Sequence, residues 1–474
     1  AKKYSQQELQ QDYTLLRDVL EKKHPSLYWY TSKDSMDHYF NTYYNNIADS
    51  MTELQFGWRI LAPLTNKIHC GHTSFNMSKD WDAYAAKKSI PAFPLYLKVW
   101  KDTMLVIGHM SRKDSGIRNG AIVTAINGVS RKEIISRLLD YLPLDGYSNN
   151  ANYLRISSNF PFYYRNIFGS YKHYQITYID STGIEKEMML PMYVPAKPAI
   201  QIKKTTGRIK ISKKQIKRIK RESERSLKID STINTAVLTL NTFSKGGGRH
   251  LRTFFRRSFK KIHKDSISNL ILDLRNNGGG DIDMSVLLTK YLRNTPFKVA
   301  DSTFAKAASL SPYTNHFKYG FFYNVGLFFL TRKHKDGEYH YGHFERHLYH
   351  PKKRNHFDGG LYILIAGPSF SASTLFCNSV KGQENVKLLG EETGGGWYGN
   401  NGIFIPDLVL PVTKLRVRVP LFRIVQFNHG EKNGSGILPD IYVPITTENV
   451  KKRIDRKMDA AKEIIKKSLT RSLQ

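Results

Sequence analysis

The stretch GPSFSAST, Gly367 to Thr374, sets three serines and a threonine between an apolar run, LYILIA, and LFCNSV, which reads as a helix. A serine oxygen becomes a nucleophile when it is exposed, when a base takes its proton, and when backbone donors receive the oxyanion it creates. The first turn of a helix supplies such donors, because its N–H groups lack intrahelical partners and its dipole favours negative charge. Ser371 falls in that turn, beside Ala372, whose small side chain lets a carbonyl approach its N–H. An N-cap would also place a serine here, but one cap needs one serine.

A second stretch, DLRNNGGG (Asp273 to Gly280), puts three glycines directly after a buried strand. Such a turn either closes tightly on a helix or opens its N–H groups as a nest for an anion. A phosphate loop is disfavoured because no GK[ST] follows. IHCGHTSF gathers His69, Cys70 and His72 in one loop, without a fourth ligand at finger-like spacing, so no metal is expected there. The tract from His334 to Phe357 sets His343 and His347 one helical turn apart among lysines and arginines, without HEXXH. It reads as an exposed insertion near the substrate cleft.

The elements that must carry these residues fall into blocks. Residues 1–88 read as helices, with apolar residues at helical spacing in QQELQQDYTLLRDVLEKKHP and a stop at Pro25. Residues 89–195 read as a β-rich module, in which AIVTAI is a short buried strand and Asn127-Gly128 a hairpin turn. Residues 196–232 form a basic connector. Residues 233–446 alternate strand and helix, which implies a mainly parallel sheet covered by helices. Residues 447–474 read as a basic C-terminal helix. The 474 residues are 40% hydrophobic, enough for a large core. No apolar run approaches the roughly 20 residues that span a bilayer, so a soluble chain is expected.

The net charge of +33 invites a nucleic-acid reading. Much of the excess lies in Gln201 to Ile229 and near the C-terminus, and neither segment interleaves the aromatics that stack on bases. Nucleic acid is therefore not expected as a partner. The basic segment reads as a solvated connector, with an anionic surface as the alternative. Cys70 and Cys377 are the only two cysteines, too few for a disulfide framework.

Taken in order, DLRNNGGG, a strand leading to GPSFSAST and a helix, and then LLGEETGGG resemble the core of the tail-specific (C-terminal processing) and tricorn-type serine peptidases. The stretch from Gly116 to Ser130 resembles the PDZ-like domain of that family. The helical opening that ends in GHT resembles the branch that takes its base from the N-terminal part. The resemblance covers nearly the whole chain. It implies an α/β, crotonase-like (β/α spiral) catalytic domain joined to a helical bundle and a PDZ-like domain. It also implies a serine endopeptidase acting on extended polypeptides, without a cofactor.

Carried over, the family pattern makes Ser371 the nucleophile and joins Gly279 and Gly280 with the N–H of Ala372 in the oxyanion hole. Ser–Lys members carry their lysine in T-F-G-K-G; here TGGGW puts Gly396 in that place. The resemblance then implies His72 as the base, since imidazole titrates near neutrality. Tricorn-type enzymes orient the base with a glutamate shortly before G-x-x-P-D. Glu431 precedes GILPD here, further upstream than the pattern puts it, with Glu391 and Glu392 as competitors. Export to the periplasm or cell exterior, after removal of a signal, is implied as well. The alternative is a non-catalytic peptide or apolar-ligand carrier on the same scaffold, as in the similar retinoid-carrying domains of the retina.

Overall fold

The computed structural model describes residues 2–111, 116–195 and 212–472. The first part of the basic segment, 201–211, lies outside the described residues.

A six-stranded sheet organises the second half of the chain, in the order Arg225–Asp230, Thr235–Leu240, Asn269–Asp273, Gly360–Ile365, Val386–Gly390 and Ile441–Tyr442. The first pair is antiparallel and every later pair parallel. All five residues of NLILD are buried, as a strand covered on both faces requires. Leu270 and Leu272 face a core shared with the helices Leu251–Lys264, Ile282–Leu292 and Ala372–Val380. Ile271 points the other way, onto Ala460, Ala461 and Ile465 of the C-terminal helix Arg456–Ser472. That helix is thus a layer of the sheet. Arg225–Asp230, read from sequence as connector, is an edge strand of the same sheet; its half-exposed residues and lysine-rich setting hid it.

The opening helices do not form a core of their own. Gln6–Lys23 begins with a capping box made by Ser5 and Glu8. Its Leu9, Tyr13, Leu16 and Leu20 share one core with Phe317, Leu408, Val417 and Phe422, far along the chain. Buried Asp12 locks the two together by accepting from the N–H groups of Val412 and Thr413 and from the Thr413 hydroxyl. A short strand, Ser74–Asn76, pairs with Arg416–Arg418. This pairing fixes the exit of the loop that carries His72.

The middle module is a sheet of Leu95–Trp100, Thr103–His109, Ile122–Ile126, His173–Ile179 and Glu185–Pro191 around its own core. Asn127 and Gly128 both have positive φ, 49° and 76°, and join Ile126 to its partner Val129. This is the backbone that an Asn-Gly hairpin turn supplies. Between the helices Arg131–Leu139 and Asn150–Ser158 a loop leaves the module and reaches the rest of the molecule. There Tyr147 N–H donates to the Gly434 carbonyl and Ser148 Oγ to the Thr393 carbonyl.

Candidate active site

The four hydroxyls of GPSFSAST have different partners. Ser369 Oγ donates to the Leu274 carbonyl and Ser373 Oγ to the Asn277 carbonyl, which ties this turn to DLRNNGGG. Thr374 Oγ1 donates to the carbonyl of Ser371 within the first turn of the helix. Among the described residues, Ser371 Oγ is the one hydroxyl of the four without such a bond. Ser371 is also held at φ 56°, ψ −119°, an uncommon backbone for a residue with a side chain. Strain of this kind persists only where surrounding bonds over-determine it, and it is a known way to lift a nucleophile out of a strand–helix turn.

Asn277 is the hub of that over-determination. Its side chain donates to the Leu240 carbonyl and accepts from Gly279 N–H, while its own carbonyl accepts from Phe370 N–H and Ser373 Oγ. Gly279, at φ 97°, lies directly against Ser371: a Cβ there would stand 2.8 Å from Ser371 Cβ and 3.0 Å from the Ala372 nitrogen. The Gly279 N–H already serves Asn277 Oδ1 at 2.9 Å. Of the three N–H groups carried over from the family pattern, those of Gly280 and Ala372 have no such acceptor among the described residues.

His72 reaches the same place from the first hundred residues. A Cβ built on Gly402 would lie 3.0 Å from Ser371 Oγ and 3.5 Å from His72 Nε2, so the two atoms are separated by at most the sum of those distances. Gly402 was not singled out in the sequence, and only this juxtaposition gives it meaning. Gly402→Ala would wedge a methyl group between alcohol and imidazole. We expect it to lower kcat/KM by about 100-fold, the cost of misplacing reacting groups by about 1 Å, with a lower melting temperature as well, because the methyl group would also stand 2.9 Å from Asn400 Oδ1. Assaying the purified variant beside the wild type checks both.

The carboxylate beside His72 is Asp145, from the loop of the middle module. Its Oδ1 lies 3.9 Å from His72 Nδ1, and both side chains are buried. Gly71 N–H donates to Asp145 Oδ1 at 2.6 Å, and Gly396 N–H also faces this carboxylate. His69 and Gly146 hold the two loops together, the Gly146 N–H donating to the His69 carbonyl. Glycine in the lysine's place thus brings backbone against the acid. His72 Nδ1 and Asp145 Oδ2 lack hydrogen-bond partners among the described residues. The Phe370 ring packs on the imidazole, with centroids 4.9 Å apart.

Glu431 does not reach this cluster. It is exposed, in the loop before Gly434. Glu392 accepts from Gly436 N–H and Glu391 pairs with Lys457, so both competitors are engaged elsewhere. Asp145 was missed because an Asp-Gly pair in a polar loop looks like any turn. Only burial sets it apart.

Burial pushes the His72 imidazole down to about 3, with Arg418 and Arg155 adding in the same direction, and pushes the Asp145 carboxyl up to about 7. The imidazole is therefore in its base form at neutral pH, and the last proton of the pair leaves from the acid as pH rises through about 7. An ionised acid with a neutral imidazole is the form that accepts a proton from an alcohol. We expect the acid limb of kcat/KM near pH 7, and in Asp145→Asn a limb moved below the ordinary histidine value, since the buried ring then titrates beside two arginines. A pH–rate profile of both proteins checks this.

Cys70, His72 and Asp145 carry donor atoms within 4.8 Å of one another. Cys70 Sγ accepts from Asn401 Nδ2, and burial raises its thiol to about 12, which opposes the thiolate a metal would need. In the histidine-rich tract, His343 and His347 are exposed with ring centroids 5.1 Å apart, while His340 is bonded between Asp336 and Glu345.

A hydroxyl at a helix start with an imidazole close by is an arrangement that serine-type hydrolases use. Residues 234–443 match the model of Peptidase family S41, and this match supports a serine-type peptidase. No curated protein matches the chain in sequence. Its fold is similar to that of mature CPAF complexed with lactacystin, with TM-score 0.66 and 15% identity over 98% of this chain and 99% of that one. A second structure of mature CPAF matches with TM-score 0.63 and 13% identity over 94% of each chain.

Proposed function

We propose that the protein is an endopeptidase of extended polypeptides that works through Ser371, His72 and Asp145. Ser371 Oγ attacks the scissile carbonyl carbon as its proton passes to His72 Nε2. The negative charge that develops on the carbonyl oxygen meets the N–H groups of Gly280 and Ala372, each such donor lowering the barrier by roughly 3 kcal/mol. When the C–N bond breaks, His72 gives the proton to the leaving amine, and water then hydrolyses the acyl-enzyme by the same route. Asp145 orients the ring and stabilises its cationic form. The crotonase-like assignment of the second half, and the PDZ-like assignment of residues 89–195, belong to this reading; so does release to the periplasm or cell exterior. A PDZ-like sheet would receive the substrate by strand addition.

The observation that carries the proposal is the single hydroxyl left without a structural bond in a serine-rich turn, facing a buried imidazole. The experiment is digestion of an unstructured polypeptide, with the products identified by mass spectrometry. Internal cleavage by the wild type is expected. An intact substrate, together with an apolar compound extracted from native preparations, would favour the carrier reading instead.

A further inference from the structure

The helix Gly320–Leu330, GFFYNVGLFFL, presents its most apolar face to solvent. Phe321, Phe322, Phe328 and Phe329 are 66–71% exposed, and Val325 between them is 40% exposed. Their spacing (i, i+1, i+4, i+7, i+8) places all five on one stripe. The opposite face is anchored. Leu327 is buried in the core shared with the opening helices, and Tyr323 packs edge-on against Phe404. Gly326 lies so close to the Phe404 ring that a Cβ would meet it at 2.6 Å. Asn324 is bonded to Leu310 N–H and to Thr314. The outward stripe is therefore a fixed feature of the fold. Four phenylalanines in one exposed patch are far from the scattered apolar residues of an ordinary surface.

The surroundings say what covers it. Lys318 precedes the helix, and Arg332, Lys333 and Lys335 follow it, all exposed. Arg332 turns back onto the carbonyls of Phe328 and Phe329 and keeps its charge at the helix end. Of the two acids in the adjoining turn, Asp336 is engaged by His340 and Glu338 is half-buried, against four exposed cations. A second copy would set this cationic rim against its like, on chains that each carry a net charge of +33. A bilayer with anionic headgroups satisfies both components: phenyl rings enter the acyl boundary and the cations meet the headgroups. Eleven residues give a helix about 16 Å long, too short to cross a bilayer, and no helix among the described residues is long and apolar enough to do so. We propose that this helix is an in-plane anchor that docks the protein onto an anionic lipid surface. The inference is independent of the peptidase chemistry.

The test is co-sedimentation of the full chain with vesicles of phosphatidylcholine alone or of equal parts phosphatidylcholine and phosphatidylserine. Binding to the anionic vesicles is expected, with a loss of at least about tenfold in the partition coefficient in the double variant Phe321→Ser, Phe328→Ser. Replacing Lys333 and Lys335 by glutamate should weaken binding in a salt-dependent way. Both variants alter only exposed side chains, so melting temperature and peptide cleavage report whether they are folded. Undiminished binding by the phenylalanine variant that disappears at high salt would transfer the role to the basic helix Lys213–Glu224 and overturn the proposal. So would a wild type that ignores both vesicles, or one that forms a concentration-dependent dimer in light scattering that the phenylalanine substitutions dissolve.

Discussion

Ser371→Ala is expected to lower kcat for an unstructured peptide by on the order of 10⁵–10⁶, with KM and melting temperature nearly unchanged. The size follows from the chemistry: without the alcohol no acyl-enzyme forms, and only the oxyanion donors and substrate positioning remain to assist water. The structure makes this substitution a clean one. The Ser371 side chain makes no hydrogen bond that the fold needs, whereas Ser369 and Ser373 each tie the turn to the neighbouring strand end. Ser373→Ala should therefore cost stability, about 1 kcal/mol for a lost buried hydrogen bond. His72→Ala should fall nearly as far in kcat as Ser371→Ala, and the double variant little further, because alcohol and base act as a unit.

Asp145→Asn is expected to reduce kcat by about 10⁴, as removal of the charge behind a catalytic imidazole does elsewhere. Glu431→Gln should leave it within about twofold, the scatter of an exposed surface change. The contrast is sharp because the two carboxylates differ in everything that matters: Asp145 is buried 3.9 Å from His72 Nδ1, and Glu431 is exposed in a loop. Steady-state kinetics of the two variants decide between them. A large loss in Glu431→Gln, with Asp145→Asn unaffected, would reverse the assignment.

The parts of this architecture that depend on local pattern were legible in the sequence. NLILDL and GLYILIA are continuous apolar runs of strand length bounded by glycine turns, and both are buried parallel strands. Asn127-Gly128 announced its hairpin by residue type alone. The convergence of Ser371 and His72 was legible only through the ordered resemblance, since no local pattern links positions so far apart. What depends on long-range packing stayed hidden. The opening helices looked self-contained because their apolar stripes do not say which surface covers them; the cover is the distant segment around Leu408 and Phe422. Arg225–Asp230 looked like connector because an edge strand in a lysine-rich run lacks the apolar signature. Asp145 carries no mark in the sequence, for its place beside His72 comes from a loop that leaves one module.

The central claim is that Ser371 is an alcohol activated by His72, and covalent labelling tests it most directly. Wild type, Ser371→Ala and His72→Ala are treated with a fluorophosphonate, and the adduct is located by peptide mass spectrometry. One adduct, on Ser371, is predicted for the wild type, none for Ser371→Ala, and a rate reduced by at least about 10³ for His72→Ala. An adduct on any other residue, no adduct on folded wild type, or equal rates with and without the imidazole would contradict the account.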